Sequence, residues 1–185
     1  MLLDIFAKSS EQKILSLIAM NPDQSYYGRQ ISRTLEISLG AVHGALQLLE
    51  KEGILISQTV GKTKLFRLEQ FNPIINTFKI LNTLLILEPL TQILKEYSGR
   101  IILYGSYSSG TFSSESDLDL LIVSEDKEKI IDVINGFERK IDIDIRPIIK
   151  NRVEWIRLEK DDPEFFFEVN QGISLWEKPI DERGF

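Results

Sequence analysis

The feature that most constrains this sequence is a pair of aspartates at the start of an apolar run. Asp117 and Asp119 are separated by Leu118, and the apolar run continues to Val123. Successive side chains of a strand point to opposite faces, so both carboxylates lie on one face and Leu118 lies on the other. Two carboxylates at this spacing can chelate one hard cation, because Mg²⁺ takes oxygen ligands at about 2.1 Å. The run therefore predicts a strand that carries a cation site.

Two further strands are predicted near this pair. Ile101 to Tyr104 is a short buried strand that ends in a Gly105-Ser106 turn, and a loop rich in small residues follows. The segment 141–148 alternates as the first run does, and it places Asp142 and Asp144 on one of its faces. Only one of these two aspartates is expected to complete a cluster with the first pair, and their spacing leaves both open.

The turn and the aspartate pair together resemble a known signature. Gly105-Ser106, then Gly110, then Ser116-Asp117-Leu118-Asp119-Leu120 are similar to the GS and SDxDL motifs of the nucleotidyltransferase superfamily. The minimal nucleotidyltransferase domain is the closest type, and the resemblance covers residues from about 88 to 178. It implies a small mixed sheet with flanking helices.

The resemblance also implies a set of site residues. Asp117 and Asp119 are expected to hold Mg²⁺, with two ions in the site, and to be catalytic. Asp144 is expected to be the third catalytic and metal-binding carboxylate, with Asp142 in reserve. The implied substrate is a nucleoside triphosphate, with ATP favoured. The residues expected to bind it are Gly105, Ser106, Gly110 and Ser116.

One departure from the family pattern bears on activity. Family members often carry a basic residue between the serine and the second glycine, whereas this chain has Ser108-Ser109 at that place. A missing cation removes charge neutralisation from the phosphates, so a domain that binds nucleotide without turnover is an alternative. Arg146, on the third predicted strand, is a candidate to replace the missing cation.

The composition excludes several kinds of chemistry. The chain has no cysteine and one histidine, His43, so disulfides, thiolate nucleophiles, Cys-type zinc sites and sites with two histidines are excluded. No apolar stretch reaches the ~18 uninterrupted residues that a membrane span needs. No basic segment precedes a long apolar run at the N-terminus, so a secretory signal is not expected. We therefore expect a cytoplasmic protein without a membrane partner.

The first 70 residues predict three helices followed by a β-hairpin. The segment Ser9-Ser10-Glu11-Gln12 offers a cap for the first helix, Ser38 is a good N-cap for the third, and Gly53 is a natural end for the third. The second helix is predicted over Tyr26–Leu35. Two strands follow, over residues 54–60 and 64–68, with Gly61-Lys62-Thr63 between them.

This order of elements resembles the winged-helix DNA-binding domain, and Leu48–Leu55 is similar to that family's junction between recognition helix and wing. The resemblance implies that the third helix enters the major groove and the hairpin contacts phosphates. The third helix has no Arg or Lys before Lys51, so one copy is expected to bind DNA weakly. Protein contact or dimerisation is the alternative use of the domain. The implied DNA-binding residues are Ser38, His43, Gln47, Lys62, Lys64 and Arg67.

We therefore predict an α+β protein in three parts. Residues 1–70 form a winged helix-turn-helix domain, and residues 71–98 form a helical connector that is bent or broken at Glu88-Pro89. Residues 99–185 form a minimal nucleotidyltransferase domain that ends in a frayed tail over 181–185.

The function expected from these parts is Mg²⁺-dependent transfer of a nucleoside monophosphate from a nucleoside triphosphate to a hydroxyl of a protein or small molecule. Duplex DNA, a partner toxin and a second copy of the chain are the partners considered, as for an antitoxin or a self-regulating enzyme. The alternative is a DNA-binding transcriptional regulator whose nucleotidyltransferase fold only binds or senses nucleotide. The three aspartates favour the enzyme, whereas the predicted winged helix favours the regulator or a fusion of both.

Overall fold

A computed structural model describes residues 9–69, 72–141 and 143–179 of the chain. The chain divides into two compact units. The N-terminal unit contains the residues up to Leu85 together with Phe112–Glu115. The C-terminal unit contains Ile86–Thr111 and the residues from Ser116 onward. A short internal segment of the C-terminal half therefore packs with the N-terminal unit.

In the described residues 9–69 of the N-terminal unit, three helices are followed by an antiparallel hairpin. The first helix begins with the predicted cap, because the Gln12 N–H donates to Ser9 Oγ and the Ser9 N–H donates to Gln12 Oε1, both at 3.2 Å. The three strands form an antiparallel sheet in the order β1-β3-β2. The elements are α1 (Ser10–Ala19), β1 (Tyr26–Tyr27), α2 (Gly28–Leu35), α3 (Leu39–Lys51), β2 (Leu55–Val60) and β3 (Thr63–Leu68).

The second helix starts two residues later than the sequence predicted. Tyr26 pairs with Phe66 and Tyr27 pairs with Leu65, so both tyrosines are in the sheet and not in α2. Aromatic residues suit a half-buried pleated surface, and here this tertiary pairing prevails over the helical pattern. The hairpin turn is also tighter than predicted, because Val60 pairs directly with Thr63 and only Gly61 and Lys62 form the turn. Gly61 has a φ of 62°, which favours glycine.

Apolar side chains from all three helices and from the hairpin form one core in this unit. Three residues from successive helices, Ile18, Ile31 and Leu46, are fully buried in it. They pack with Leu55 and Phe66 of the hairpin, which ties the sheet to the helices. The core is therefore continuous from α1 to β3.

A long helix, α4, spans Pro73–Leu94, so the break predicted at Glu88-Pro89 does not occur. Pro89 removes one backbone hydrogen bond from the helix interior. Leu87 and Leu90 on either side of it are buried, and this packing keeps the helix continuous.

By length and composition alone, α4 is long and apolar enough to cross a membrane, which is weak evidence because the core helix of a soluble protein passes the same test. Its N-terminal part buries the polar side chains of Lys79, Asn82 and Thr83. Each of these side chains makes a hydrogen bond within the N-terminal unit.

The C-terminal unit contains a four-stranded mixed sheet with flanking helices, in agreement with the α+β class predicted. The strand order is β6-β5-β4-β7, with β5 and β6 parallel and the other two pairs antiparallel. The elements are β4 (Arg100–Tyr104), α5 (Gly105–Ser109), β5 (Leu118–Val123), α6 (Lys127–Glu138), β6 (Ile145–Lys150), α7 (Arg152–Asp161), α8 (Pro163–Asn170) and β7 (Ile173–Glu177).

Two local features of this unit differ from the sequence prediction. The small-residue loop begins with the short helix α5, since the Gly110 N–H bonds back to the Ser106 carbonyl. The third strand starts at Ile145 and not at Ile141, because the Ile141 N–H bonds to the Glu138 carbonyl in a turn that ends α6. Asp144 therefore precedes β6. Asp142 and the tail predicted over 181–185 lie outside the described residues.

Gly172, between α8 and β7, has no room for a side chain. An added Cβ would overlap the Leu103 carbonyl oxygen and lie 2.9 Å from the Val169 carbonyl oxygen. Both obstacles are backbone atoms, so a side-chain rotation cannot relieve them. We expect Gly172→Ala to lower the free energy of unfolding by about 3 kcal/mol, measured by urea titration.

Gly136, inside α6, is the matched control, because a Cβ added there would meet no other atom within 4 Å. Gly136→Ala is expected to raise the free energy of unfolding by about 1 kcal/mol through helix propensity. Equal effects of the two substitutions would contradict the packing described around Gly172.

Candidate active site

The carboxylates predicted for the site lie where β4, β5 and β6 meet. Asp119 is paired with Tyr104 of β4 on one side and with Arg146 of β6 on the other. Paired residues of neighbouring strands project from the same face, so these three side chains share one face of the sheet. Asp117 precedes Asp119 by two residues and is on that face too. The Leu118 N–H donates to the Asp144 carbonyl at 2.8 Å, which brings the backbone of Asp144 beside this end of β5.

An ion pair neutralises part of this acidic cluster. Arg146 Nη2 lies 2.8 Å from Asp117 Oδ2, and the Arg146 side chain is 71% exposed. The Arg146 guanidinium is thus held by the first aspartate of the motif and remains open to solvent. From the sequence, Arg146 is a candidate to replace the missing phosphate-neutralising cation. In the structure its guanidinium is paired with the Asp117 carboxylate.

Asp119 is in an environment that disfavours its negative charge. Burial raises the pKa of Asp119, and the carboxylates of Asp117 and Glu168 raise it further, against a lowering effect of Arg146. Like charges gathered in a partly dry site favour the binding of a cation. The oxygen-only donor set fits a hard ion such as Mg²⁺. Within the described ranges 9–69, 72–141 and 143–179, no three His, Asp or Glu side chains are grouped closely enough to hold one metal ion.

Gly105 is at the point where the chain leaves β4 and passes beside Asp119. Its φ is 67°, and an added Cβ would lie 2.6 Å from Asp119 Oδ2. Glycine is required here both by the left-handed backbone and by the closeness of the carboxylate. The GS turn and the aspartate pair are therefore in direct contact.

Gly105→Ala is expected to turn the Asp119 carboxylate away from its position and to weaken Mg²⁺-dependent ATP binding about tenfold. The estimate combines a left-handed alanine, at about 1–2 kcal/mol, with the forced rotation of Asp119. Isothermal titration calorimetry of Mg·ATP measures the change. Gly44→Ala, in an open position on α3, is the control and should leave binding unchanged. Wild-type affinity in Gly105→Ala would contradict a role for this contact.

The serine-rich turn after Gly105 uses its hydroxyls on its own backbone. Ser108 Oγ donates to the Gly105 carbonyl at 2.8 Å, and Ser109 Oγ donates to the Ser106 carbonyl at 3.2 Å. Gly110, with a φ of 71°, ends α5 in the left-handed conformation. The side chains of Ser106 and Ser116 are half-buried. The turn is thus closed by hydroxyls where the family pattern has a cation.

Three residues that the sequence analysis did not select belong to this site. Burial raises the pKa of Tyr104 to about 12, with Asp119 and Glu168 adding to the effect. Burial also raises the pKa of Tyr107, with contributions from Asp117 and Asp144. Two buried tyrosines and Glu168 of α8 thus accompany the predicted aspartates. The apolar run before Gly105 was the available signal for Tyr104, whereas nothing local in the sequence singles out Glu168.

Comparison with known proteins assigns this unit to a family. Residues 86–170 match the nucleotidyltransferase domain family. A protein of Methanocaldococcus jannaschii named as a protein adenylyltransferase is 41% identical over 66 residues, which are 32% of this chain and 67% of that protein. The chain belongs to the nucleotidyltransferase domain family. It is therefore a nucleotidyltransferase enzyme, as the sequence motifs predicted.

One solved structure is similar to part of this nucleotidyltransferase. A possible transcriptional regulator from Methanosarcina mazei Go1 is 18% identical, covers 51% of this chain and 83% of its own, and gives a TM-score of 0.33. A TM-score this low supports no conclusion about the fold or the function of the chain.

The N-terminal unit of the nucleotidyltransferase carries a separate candidate site. A groove of about 620 Å³ lies between α2, α3 and the hairpin. Four of the residues predicted to bind DNA line it, namely His43, Gln47, Lys62 and Lys64, together with Arg29 and aromatic side chains of Tyr27 and Phe66.

The other two predicted DNA contacts are elsewhere. Ser38 caps α3, since its Oγ accepts from the Ala41 N–H at 3.3 Å. Arg67 is exposed on β3. Lys64 is already paired, because its Nζ lies 2.7 Å from Glu50 Oε2. The positive charge of the hairpin is therefore smaller than its sequence suggests.

Proposed function

We propose that the enzyme transfers a nucleoside monophosphate from a nucleoside triphosphate to a hydroxyl group, in a Mg²⁺-dependent reaction with ATP as the favoured donor. The observation that carries the proposal is the contact between the GS turn and the aspartate pair. A Cβ on Gly105 would lie 2.6 Å from the Asp119 carboxylate, so a triphosphate lying on the turn would also lie beside the carboxylates.

In the proposed site, Asp117, Asp119 and Asp144 would hold Mg²⁺, which when bound would neutralise phosphate charge. Among the described residues these carboxylates are not grouped closely enough to hold one ion, so ion binding would have to draw Asp144 toward the aspartate pair. Gly105 and Gly110 let the backbone approach the triphosphate, and their neighbours Ser106 and Ser116 hydrogen-bond it. Arg146, which is exposed and paired with Asp117, would contact a phosphate of the bound nucleotide and so supply the charge that Ser108-Ser109 lacks.

The reaction then follows as an in-line displacement. The acceptor oxygen forms a bond to the α-phosphorus, the bond between the α-phosphorus and the bridging oxygen breaks, and pyrophosphate leaves. The proton of the acceptor hydroxyl passes to a carboxylate, for which Asp144 is the candidate, with Asp142 in reserve. Tyr104 and Tyr107 stay protonated beside these carboxylates and can donate hydrogen bonds to them.

The acceptor is proposed to be a hydroxyl of a protein. The Methanocaldococcus jannaschii relative is named as a protein adenylyltransferase, which supports both a protein acceptor and ATP as donor. A toxin-like partner protein is the acceptor that an antitoxin of this type would modify. The enzyme is proposed to be a cytoplasmic homodimer, in the same compartment as such a partner.

Label transfer tests the proposal. The full-length enzyme is incubated with Mg²⁺ and each nucleoside triphosphate, labelled either at the α- or at the γ-phosphate, alone and with lysate from the source organism. Transfer of α-label, but not of γ-label, is the expected result, and it identifies the group moved. Retention of nucleotide without any transferred label would instead favour a nucleotide-sensing regulator.

A second candidate function, DNA binding by the N-terminal unit, is favoured by the groove between α2, α3 and the hairpin. We propose that this unit is a winged helix and that the groove faces duplex DNA. Arg29 and Lys62 line the groove and supply positive charge, whereas Glu50 holds Lys64. The modest charge predicts weak binding by one copy, and dimerisation would strengthen it by joining two such units.

Lys62→Ala with Arg29→Ala, which removes two groove-lining cations, is expected to weaken DNA binding by the full-length protein and to reduce the slope of log affinity against log salt by about two, since each substitution removes one phosphate neutralisation. Fluorescence anisotropy with a labelled duplex at several salt concentrations measures both quantities. Lys127→Ala with Lys129→Ala, on α6, removes the same charge away from the groove and is the control. An equal loss in the control would mean that binding depends on total charge, and no binding at low salt would leave the unit as a protein-contact module.

A further inference from the structure

The loop that joins the nucleotide-binding turn to the aspartate pair passes through the N-terminal unit. Thr111 and Ser116, at its two ends, belong to the C-terminal unit, whereas Phe112–Glu115 between them belongs to the N-terminal unit. Phe112 belongs to the N-terminal unit, and its side chain is only 2% exposed. The loop therefore has an anchor of its own, distinct from the strands that flank it.

Lys79 of α4 contacts this loop. Its Nζ donates to the Phe112 carbonyl at 2.7 Å and lies 4.0 Å from the centroid of the Phe112 ring. The residue is only 4% exposed. A buried ammonium group is costly unless its charge is well satisfied, and this carbonyl and ring both help to satisfy it. Burial lowers the pKa of Lys79, and the nearby Asp23 opposes that effect.

Asp23, just after α1, provides a second anchor. The Ser114 N–H donates to Asp23 Oδ2 at 2.8 Å. Two side chains far apart in sequence thus hold the loop backbone at Phe112 and Ser114. Only Glu115 and Ser116 separate this second anchor from Asp117, so a shift of the loop would be passed to the aspartate pair.

We infer that Lys79 is a positioning residue for nucleotidyl transfer, which holds the Phe112–Glu115 loop so that Asp117 and Asp119 keep their place beside the Gly105-Ser106 turn. The inference rests on the proposed function and adds a role for the N-terminal unit in the reaction.

Lys79→Met keeps an unbranched side chain that is one atom shorter, and it removes the charge and the hydrogen bond. We expect hydrogen exchange of the peptide that contains Phe112–Glu115 to rise about tenfold, and kcat for nucleotidyl transfer to fall about tenfold. KM for Mg·ATP should rise as well, because Asp117 and Asp119 also hold the Mg²⁺ on which nucleotide binding depends in the proposed site. Lys79→Arg, which can donate to the same carbonyl and stack on the same ring, should recover most of both losses.

Ser16→Ala is the matched control. Ser16 Oγ donates to Asn82 Oδ1 of α4 at 3.0 Å, so this change also removes a part-buried hydrogen bond to the same helix. It does not touch the loop, and it should lower thermal stability without changing kcat or the exchange of Phe112–Glu115. If Lys79→Met folds poorly, Asp23→Ala tests the same loop through its exposed anchor and is expected to show the same two effects.

Unchanged loop exchange in both Lys79→Met and Asp23→Ala would overturn the inference, as would kcat losses no larger than those of Ser16→Ala. These outcomes leave the proposed function intact, because the wild-type enzyme still transfers nucleotide. Absence of transfer by the wild-type enzyme would overturn the proposed function itself, whatever the loop exchange of the variants.

Discussion

Replacing Asp117 and Asp119 together by asparagine is expected to abolish Mg²⁺-dependent nucleotide binding and to lower transfer by at least about a thousandfold, while the protein stays folded. The loss follows because neutral amides bind hard cations poorly, and the cation supplies several kcal/mol of charge stabilisation in phosphoryl-group chemistry. The fold should persist, because the negative charge of Asp119 is unfavourable in the folded protein. Burial and the Asp117 carboxylate both raise the pKa of Asp119. The ion pair of Asp117 with the 71% exposed Arg146 contributes little to stability.

Calorimetric titration with Mg·ATP and α-label transfer measure the two losses, and thermal melting checks the fold. Asp132→Asn, on the exposed surface of α6, removes one negative charge elsewhere and should leave binding and transfer unchanged. Wild-type affinity for Mg·ATP in the double variant would mean that the site assignment is wrong. A melting temperature far below that of the wild type would mean that the carboxylates have a structural role.

The placement of the aspartate pair could be predicted from sequence because it depends on local geometry. Alternation within one strand puts Asp117 and Asp119 on one face regardless of what the rest of the chain does. Gly105 was predictable for a similar reason, since a strand that turns at a glycine is a local signal. The pairing of Arg146 with Asp117 depends on the parallel register of β5 and β6, which no local pattern specifies.

The remaining differences arise from tertiary contacts. The sequence pattern predicts Tyr26 as part of a helix, whereas in the structure it pairs with Phe66 in the sheet. Glu168 comes near Asp119 because α8 packs on the same sheet face, where Phe165 meets Tyr104 edge to face at 5.6 Å between ring centroids. The loop over Phe112–Glu115 has the composition of a flexible connection, yet its phenylalanine is buried in the N-terminal unit. Hydrophobic periodicity describes only residues that are close in sequence, so it does not predict long-range burial of this kind.

Removal of the proposed third carboxylate, Asp144, is expected to have the second large effect on activity. Asp144→Ala is expected to lower kcat for transfer by ~10²-fold, the lower range for removing a positioned base. The Asp144 carbonyl accepts from the Leu118 N–H, and this backbone contact survives truncation of the side chain, so the strand end should keep its position. Nucleotide binding through Ser106, Asp117 and Asp119 should largely persist, and the loss should therefore fall on kcat and not on KM.

Asp142→Ala is the comparison variant for Asp144→Ala. Both aspartates were candidates from sequence, and the structure brings the backbone of Asp144 next to Leu118, directly beside Asp117. Both Asp117 and Asp144 contribute to the raised pKa of Tyr107, so both carboxylates lie near this tyrosine. We therefore expect Asp142→Ala to cost far less activity than Asp144→Ala. Steady-state kinetics with α-labelled ATP rank the two variants. The opposite ranking would transfer the role to Asp142, and negligible effects of both would show that transfer needs no third carboxylate from this segment.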